Sequence, residues 1–261
     1  MTLVYILLAT LAVSLISLVG VLVLALNKKT LDKILLVLVA LAGGGLMGGA
    51  FLHLIPEAIG EIGHSPDQLR NVFLFVIFGF LVFLLIEQYL HWHHHHHLHQ
   101  HPDEHEKCCQ NKPVTYLILV ADSIHNFIDG LIIAASFVVD PAVGVVTTIA
   151  VALHEIPQEI GDFGVLVYGG FKRSKALLFN FLSAAVAILG GLVGYLIAEG
   201  AEGLIVYLLP IAAGGFIYIA ASDLVPEIKH GDRGMRMALN FIVFLFGIGL
   251  MLLMKFLPFA E

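Results

Sequence analysis

Eight apolar stretches, each long enough to cross a bilayer as a helix, divide this sequence at about residues 3–26, 34–56, 72–90, 114–138, 142–168, 176–198, 204–225 and 238–257. The hydrocarbon core is about 30 Å thick and a helix rises about 1.5 Å per residue, so one crossing takes roughly 20 residues. A helix also satisfies its own backbone N–H and C=O groups, as lipid requires. Of the 261 residues, 59% are hydrophobic and 13% charged, too few charges for the polar surface of a water-soluble domain of this size. The expected fold is an all-α integral membrane protein of eight transmembrane helices. It forms one transmembrane domain over 1–261, with a His-rich cytoplasmic loop at 91–112. The fourth and fifth stretches carry polar residues and are expected to be the least apolar.

Basic residues segregate across this plan. Lys28, Lys29, Lys33, Lys107, Lys112, Lys172, Arg173, Lys175, Lys229, Arg233 and Arg236 fall on one side, and only Arg70 and Lys255 on the other. The positive-inside rule then puts both termini outside the cytoplasm, in a multi-pass protein of the cell (inner) membrane. The first stretch has no basic segment before it and reads as a true span, not a cleaved signal peptide. No Gly-rich loop ending in Gly-Lys-Ser/Thr is present, which argues against direct ATP drive. Cys108 and Cys109 are adjacent and set up no disulfide framework. No nucleic-acid partner is expected.

Residues 42–57 (AGGGLMGGAFLHLIPE) align without gaps on 212–227 (AAGGFIYIAASDLVPE). The second stretch runs outward and the seventh inward, so the repeat is inverted. It relates helices 1–3 to helices 6–8 around a central helix 4/5 pair. Gly-rich membrane helices often look alike, but the shared Leu-x-Pro-Glu ending favours a real repeat. Inverted repeats of this kind place a substrate site near the bilayer midplane.

The fourth stretch holds Asp122, His125, Asn126 and Asp129; the fifth holds His154, Glu155, Gln158, Glu159 and Asp162. A charge at the bilayer centre costs about 2.5–3.5 kcal/mol or more, so such groups default to functional sites. His125 and Asp129 share a helix face at i, i+4, as do His154 and Gln158, and Glu155 and Glu159. The connection around Asp140-Pro141 is short, which makes these helices antiparallel neighbours. Imidazole with carboxylate suits zinc, iron(II), manganese and cadmium, and the lack of thiolate or thioether argues against copper(I). Asp129, in reach of both His125 and Asn126, could bridge two ions. Pro157 cannot donate to the carbonyl of Leu153, so a kink is expected beside the ligands. A buried polar network or a proton relay would use some of these side chains; so many ligand types on two adjacent helices favour metal. Residues 91–105 (HWHHHHHLHQHPDEH) add a weak, compositional metal-buffering tract. His53 and Glu57 on the outer side, and Asp223 and Glu227 on the inner, are repeat-related and could mark an entrance and an exit.

His125-Asn126-Phe127-Ile128-Asp129-Gly130 and His154-Glu155-Ile156-Pro157-Gln158-Glu159 resemble the helix-four and helix-five signatures of the ZIP (Zrt/Irt-like) family of divalent metal transporters. With the eight-helix plan, the resemblance covers nearly the whole chain. It implies import of metal, zinc first, into the cytoplasm, a binuclear site between helices four and five, homodimers, and no enzymatic activity or organic cofactor. Carried over by motif position, one ion takes His125, Asp129, His154 and Gln158. The other takes Asn126, Asp129 and Glu155, with Glu159 or Asn180 as further ligands and Asp122 as an auxiliary group. Gln158 departs from the His or Glu that family members carry there. A neutral, weaker ligand leaves affinity and metal preference open. Two rivals remain: a metal exporter or exchanger with the same ligands, and an intramembrane zinc metalloprotease. His154-Glu155-x-x-Gln158 is one residue from the protease helix signature, but that reading leaves His125, Asp129 and the repeat unexplained.

Overall fold

The computed structural model describes residues 1–21, 28–62, 65–98, 113–197, 201–231, 234–254 and 256. Among these the regular structure is helical. The elements are α1 (Thr2–Ile16), α2 (Lys28–Gly48), α3 (Ile55–Ile62), α4 (Pro66–Leu98), α5 (Val114–Val139) and α6 (Pro141–Tyr168). They continue with α7 (Arg173–Ala184), α8 (Val186–Ile197), α9 (Ala201–Ile219), α10 (Val225–Gly231) and α11 (Met235–Met254). A π-helical turn, Gly49–Leu54, joins α2 to α3, and another, Ala220–Leu224, joins α9 to α10.

Seven helical segments among the described residues are long and apolar enough to cross a membrane: Thr2–Val19, Ile34–Gly60, Pro66–Tyr89, Val114–Val139, Arg173–Ile197, Leu204–Lys229 and Met235–Leu253. The chain is therefore a multi-pass helical membrane protein. The remaining predicted stretch, 142–168, coincides with α6, which has the length, 28 residues, but is diluted by His154, Glu155, Glu159 and Asp162. Of the seven, α5 has the lowest mean hydropathy, 1.6.

One boundary differs from the sequence reading. Helix α4 does not stop near residue 90 but runs to Leu98, so the expected loop starts inside it. Neither Gly nor Pro occurs between His91 and Leu98, and a helix leaving the bilayer has nothing to end it. The rest of the His-rich tract with Cys108 and Cys109, at 99–112, lies outside the described residues, as do 22–27 of the first stretch.

The centre of the bundle is set by a tight connection. Asp140 alone separates α5 from α6; its backbone is extended and its carboxylate accepts from the Ala142 N–H at 2.7 Å. Pro141 takes the first helical position, where a missing N–H costs nothing. The two helices are thus forced antiparallel. Helix α5 is the most enclosed span, 67% buried against 17% for Pro66–Tyr89 and Met235–Leu253.

Main-chain contacts at glycines bring the other helices close. A Cβ on Gly44 of α2 would sit 2.0 Å from the Phe244 carbonyl oxygen of α11, and one on Gly214 of α9 would sit 2.1 Å from that of Val76 in α4. Gly130 of α5 and Gly190 of α8 lock those helices together, at 2.1 Å from Ala187 O and 2.0 Å from Phe127 O. Such approach is the usual basis of helix association in lipid, where apolar burial gives little drive. Contacts recur in matched pairs: α2 with α11 and α9 with α4; α2 with α6 and α9 with α5; α1 with α6 and α8 with α5. The two π turns fall at the same place in the aligned segments 42–57 and 212–227.

Gly214→Val is expected to cost at least about 1–3 kcal/mol, because the Val76 main chain cannot move aside. Gly45→Ala, which meets nothing within 4 Å, should be neutral or stabilise by up to about 1 kcal/mol. Thermal unfolding in detergent, followed by size exclusion, compares the two.

Candidate metal centre

The facing sides of α5 and α6 carry a polar cluster sealed from solvent. Asp122, His125, Asn126 and Asp129 of α5 are buried, and so are His154, Glu155, Gln158, Glu159 and Asp162 of α6. Asn180 of α7 joins them with no exposed surface. The cluster therefore contains five carboxylates. Among the described residues no lysine or arginine forms an ion pair with any of these carboxylates.

Four side chains converge on one point. His125 Nε2 lies 3.4 Å from Glu155 Oε1 and 3.7 Å from Asp129 Oδ2. His154 Nε2 lies 3.3 Å from Asp129 Oδ2 and 3.6 Å from Glu155 Oε1. A tetrahedral zinc ion with bonds of about 2.0–2.1 Å sets its ligands about 3.3–3.4 Å apart, so the four separations fit that cage. A second group, Asp122, Glu155 and Glu159, brings three carboxylate oxygens within 4.8 Å of one another. Glu155 belongs to both groups, a place that motif position gave to Asp129.

The remaining polar side chains orient these ligands and leave oxygens unsatisfied. Asn126 donates from Nδ2 to Asp122 Oδ1 at 3.0 Å and to the Asp122 carbonyl at 3.2 Å. Asn180 donates to the Glu159 carbonyl at 3.3 Å and to Glu159 Oε2. Gln158 lies near Asp122. Buried atoms left without a hydrogen bond include Asp122 Oδ2, Asn126 Oδ1, Glu155 Oε1, Glu159 Oε1, Asn180 Oδ1 and both His125 nitrogens. Orphaned acceptors at this density are costly in a bilayer unless cations satisfy them. Helix α6 continues through Pro157, whose missing N–H leaves the Leu153 carbonyl without its usual helical donor.

The predicted flanking groups separate into two places. His53 touches the cluster: its ring lies 4.9 Å from that of His154, its side chain is 38% exposed, and Glu57 lies 3.6 Å away. Asp223 and Glu227 lie elsewhere, in the π turn Ala220–Leu224 and in α10. There Tyr168 donates to Glu227 at 2.5 Å, Tyr218 donates to Glu87, and Asp223 faces Glu87 and Glu227. Sequence reasoning had assigned no role to Glu87, although a carboxylate inside the third apolar stretch was the signal that could have singled it out. Phe216, whose ring packs 5.2 Å from that of His125, was also not singled out.

Together these features define a polytopic membrane protein with a buried cluster of metal-ligating side chains between its two central helices. The family model for the ZIP zinc transporters matches residues 1–103 and 90–255. A Caenorhabditis briggsae protein named zinc transporter zipt-7.1 is 35% identical over 247 residues, covering 76% of this chain and 63% of the relative. Mouse (Mus musculus) zinc transporter ZIP13 is 36% identical over 230 residues, 75% and 63% of the respective chains. The Homo sapiens ZIP13 is 32% identical over 259 residues, 83% and 69%. The chain belongs to the ZIP zinc transporter family, and it spans 63% of the length of the first two of these relatives.

Glu159→Gln removes one uncompensated buried carboxylate and keeps an acceptor for the Asn180 amide. In metal-free protein it should raise the melting temperature by about 2–4 °C, equivalent to about 1 kcal/mol for a chain of this size. Added zinc should stabilise the variant less than it stabilises wild type. Differential scanning fluorimetry with chelator and with zinc reads both effects.

Proposed function

We propose that the protein carries divalent transition metal, zinc first, across the membrane into the cytoplasm through a binuclear site between α5 and α6. The observation that carries this reading is the enclosed set of carboxylates and imidazoles with no basic partner. Four carboxylates, Asp129, Glu155, Asp122 and Glu159, balance the charge of two divalent ions beside neutral histidines. One ion is held by His125, Asp129, His154 and Glu155; the other by Asp122, Glu155 and Glu159, with Asn126, Gln158 and Asn180 supplying amide oxygens. Glu155, common to both, hands an ion from one position to the next. The names of the relatives support zinc as cargo, and iron(II), manganese and cadmium accept the same ligands. The protein acts as a transporter, not an enzyme.

The architecture supports a carrier. Matched helix contacts and matched π turns fit an inverted repeat of the first three and last three spans around the α5/α6 pair. With α6 counted, the chain crosses eight times, as one domain, and both termini lie outside. A hydrated ion reaches half-exposed His53 and Glu57 and sheds water as it passes His154. It leaves past Asp223 and Glu227 toward the His-rich segment. A homodimer in the cell membrane completes the proposal.

The test is zinc uptake into liposomes holding an internal zinc dye. Wild type should transport, while Asp129→Ala and His154→Ala should fall to the leak rate with folding intact. Variants as active as wild type would remove the ligand assignment; inactivity of wild type towards all four metals would remove transport itself. Protons compete with metal for imidazole. The initial rate should therefore drop as the outside is acidified below the ordinary histidine range, about pH 6.5. A flat profile between about pH 5.5 and 7.5 would count against imidazole ligation.

A further inference from the structure

The span Arg173–Ile197 is broken at Ala185, between α7 and α8, although neither Gly nor Pro occurs between Phe179 and Ile188. Ser183 loosens it: its hydroxyl lies 2.9 Å from the Asn180 carbonyl and 3.1 Å from that of Phe179, and such back-bonding bends a helix. Past the break the Ile188 N–H bonds the Ala185 carbonyl at 3.1 Å, three residues back, in place of Ala184, four back. The donor to Ala184 comes from another helix. Ser14 of α1 has no exposed surface, and its hydroxyl lies 2.9 Å from the Ala184 carbonyl oxygen. The same hydroxyl lies 2.8 Å from the Thr10 carbonyl, but that carbonyl has the Ser14 N–H of its own helical turn. Its hydrogen therefore matters most at Ala184, where lipid offers no substitute.

Two different attachments meet at this break. One turn before it, Asn180 of α7 donates to the Glu159 carbonyl at 3.3 Å and to the Glu159 carboxylate, so α7 is tied to α6. Just after it, α8 is pinned to α5 by the main-chain contacts at Gly130 and Gly190. Without the Ser14 hydroxyl, the Ala184 carbonyl regains a donor most directly if the Ile188 N–H returns to it, which straightens the span. Because α8 is held, α7 is the part that moves, and Asn180 moves with it. Glu159 belongs to the group it forms with Asp122 and Glu155, whereas no residue of α7 belongs to the group of His125, Asp129, His154 and Glu155.

We propose that Ser14, in the first span, is a positioning residue for the second ion: it holds the break at Ala185 and so keeps Asn180 on Glu159. The proposal rests on the reading of a binuclear site. Helix α1 carries no His, Cys, Asp or Glu, so it takes part in handling cargo without touching it. Loss of a group that orients a metal ligand costs about 10–100-fold in affinity, and here the loss falls on one ion of the two.

The test is calorimetric titration of zinc into metal-free, full-length protein in detergent. Wild type should take up two zinc ions in two steps, one weakened by His154→Ala and the other by Glu159→Gln. Ser14→Ala should weaken the Glu159-dependent step by about 10-fold and leave the His154-dependent step unchanged. Thr10→Val, which removes a hydroxyl bonded only within α1, should leave both steps as in wild type. In an Asn180→Ala background, Ser14→Ala should change the Glu159-dependent step by no more than about twofold, the ordinary scatter between sites that do not interact. An equal loss in both backgrounds, or a loss spread over both steps, makes Ser14 a general packing residue and overturns the proposal while the binuclear site stands. Uptake of a single zinc by wild type overturns the binuclear reading itself. If Ser14→Ala does not fold, a crystal structure of the wild type in lipid decides: an unbroken helix through Ala185, with Ser14 turned away from Ala184, overturns the proposal.

Discussion

Five carboxylates and two imidazoles held inside a bilayer, with no lysine or arginine paired to the carboxylates among the described residues, set the terms for the whole structure. Like charges at this spacing repel strongly in a medium of low dielectric, and little water is present to screen them. Rigid support is needed to keep them together. The one-residue Asp140 link fixes α5 against α6, and glycine contacts at Gly130 and Gly190 clamp α5 to α8. The least enclosed spans, α4 and α11, lie at the periphery, with large apolar side chains such as Phe73, Ile77, Phe241 and Phe246 facing outward.

The polar cluster is graded along its length. At the end beside His53 the ligands are mixed nitrogen and oxygen, with separations that suit a small tetrahedral ion. At the end beside Asn180 they are oxygen alone, drawn from three helices. Nitrogen ligands distinguish among transition metals far better than carboxylates do. The groups with the chemistry to discriminate among metals are therefore gathered at the end beside half-exposed His53, and the other end is mainly a store of negative charge. Asn126 and Asn180 contribute by occupying one oxygen of Asp122 and of Glu159, and the other oxygen of each is left buried without a hydrogen bond.

Much of this was legible in the sequence. Lipid imposes a length on every span, so the apolar stretches announced themselves, and α6 stood out because its ligands lower its hydropathy. Helical periodicity placed His125 with Asp129 and Glu155 with Glu159. It could not place α5 residues against α6 residues, because the rotation of one helix on its neighbour is set elsewhere, by glycine contacts with α8 and α2. That is why the sequence did not announce that Glu155 lies within reach of both groups of ligand atoms, or that Gln158 lies near Asp122. Pairings such as Glu87 with Tyr218 join residues far apart in the chain, and no local pattern announces them. The end of α4 was misjudged for a simpler reason: hydropathy marks where a helix leaves the membrane, not where it stops.

The π turns at Gly49–Leu54 and Ala220–Leu224 carry a consequence of a different kind. A π turn holds one residue more than an α turn, so a helix can lose a residue there and remain a helix. Removing one would turn everything beyond it by about 100°. His53 would swing away from His154 in one segment, and Asp223 from Glu87 in the other, with every glycine contact upstream untouched. At these two places the length of the chain, with no change in the side chains themselves, decides which groups face His154 and Glu87.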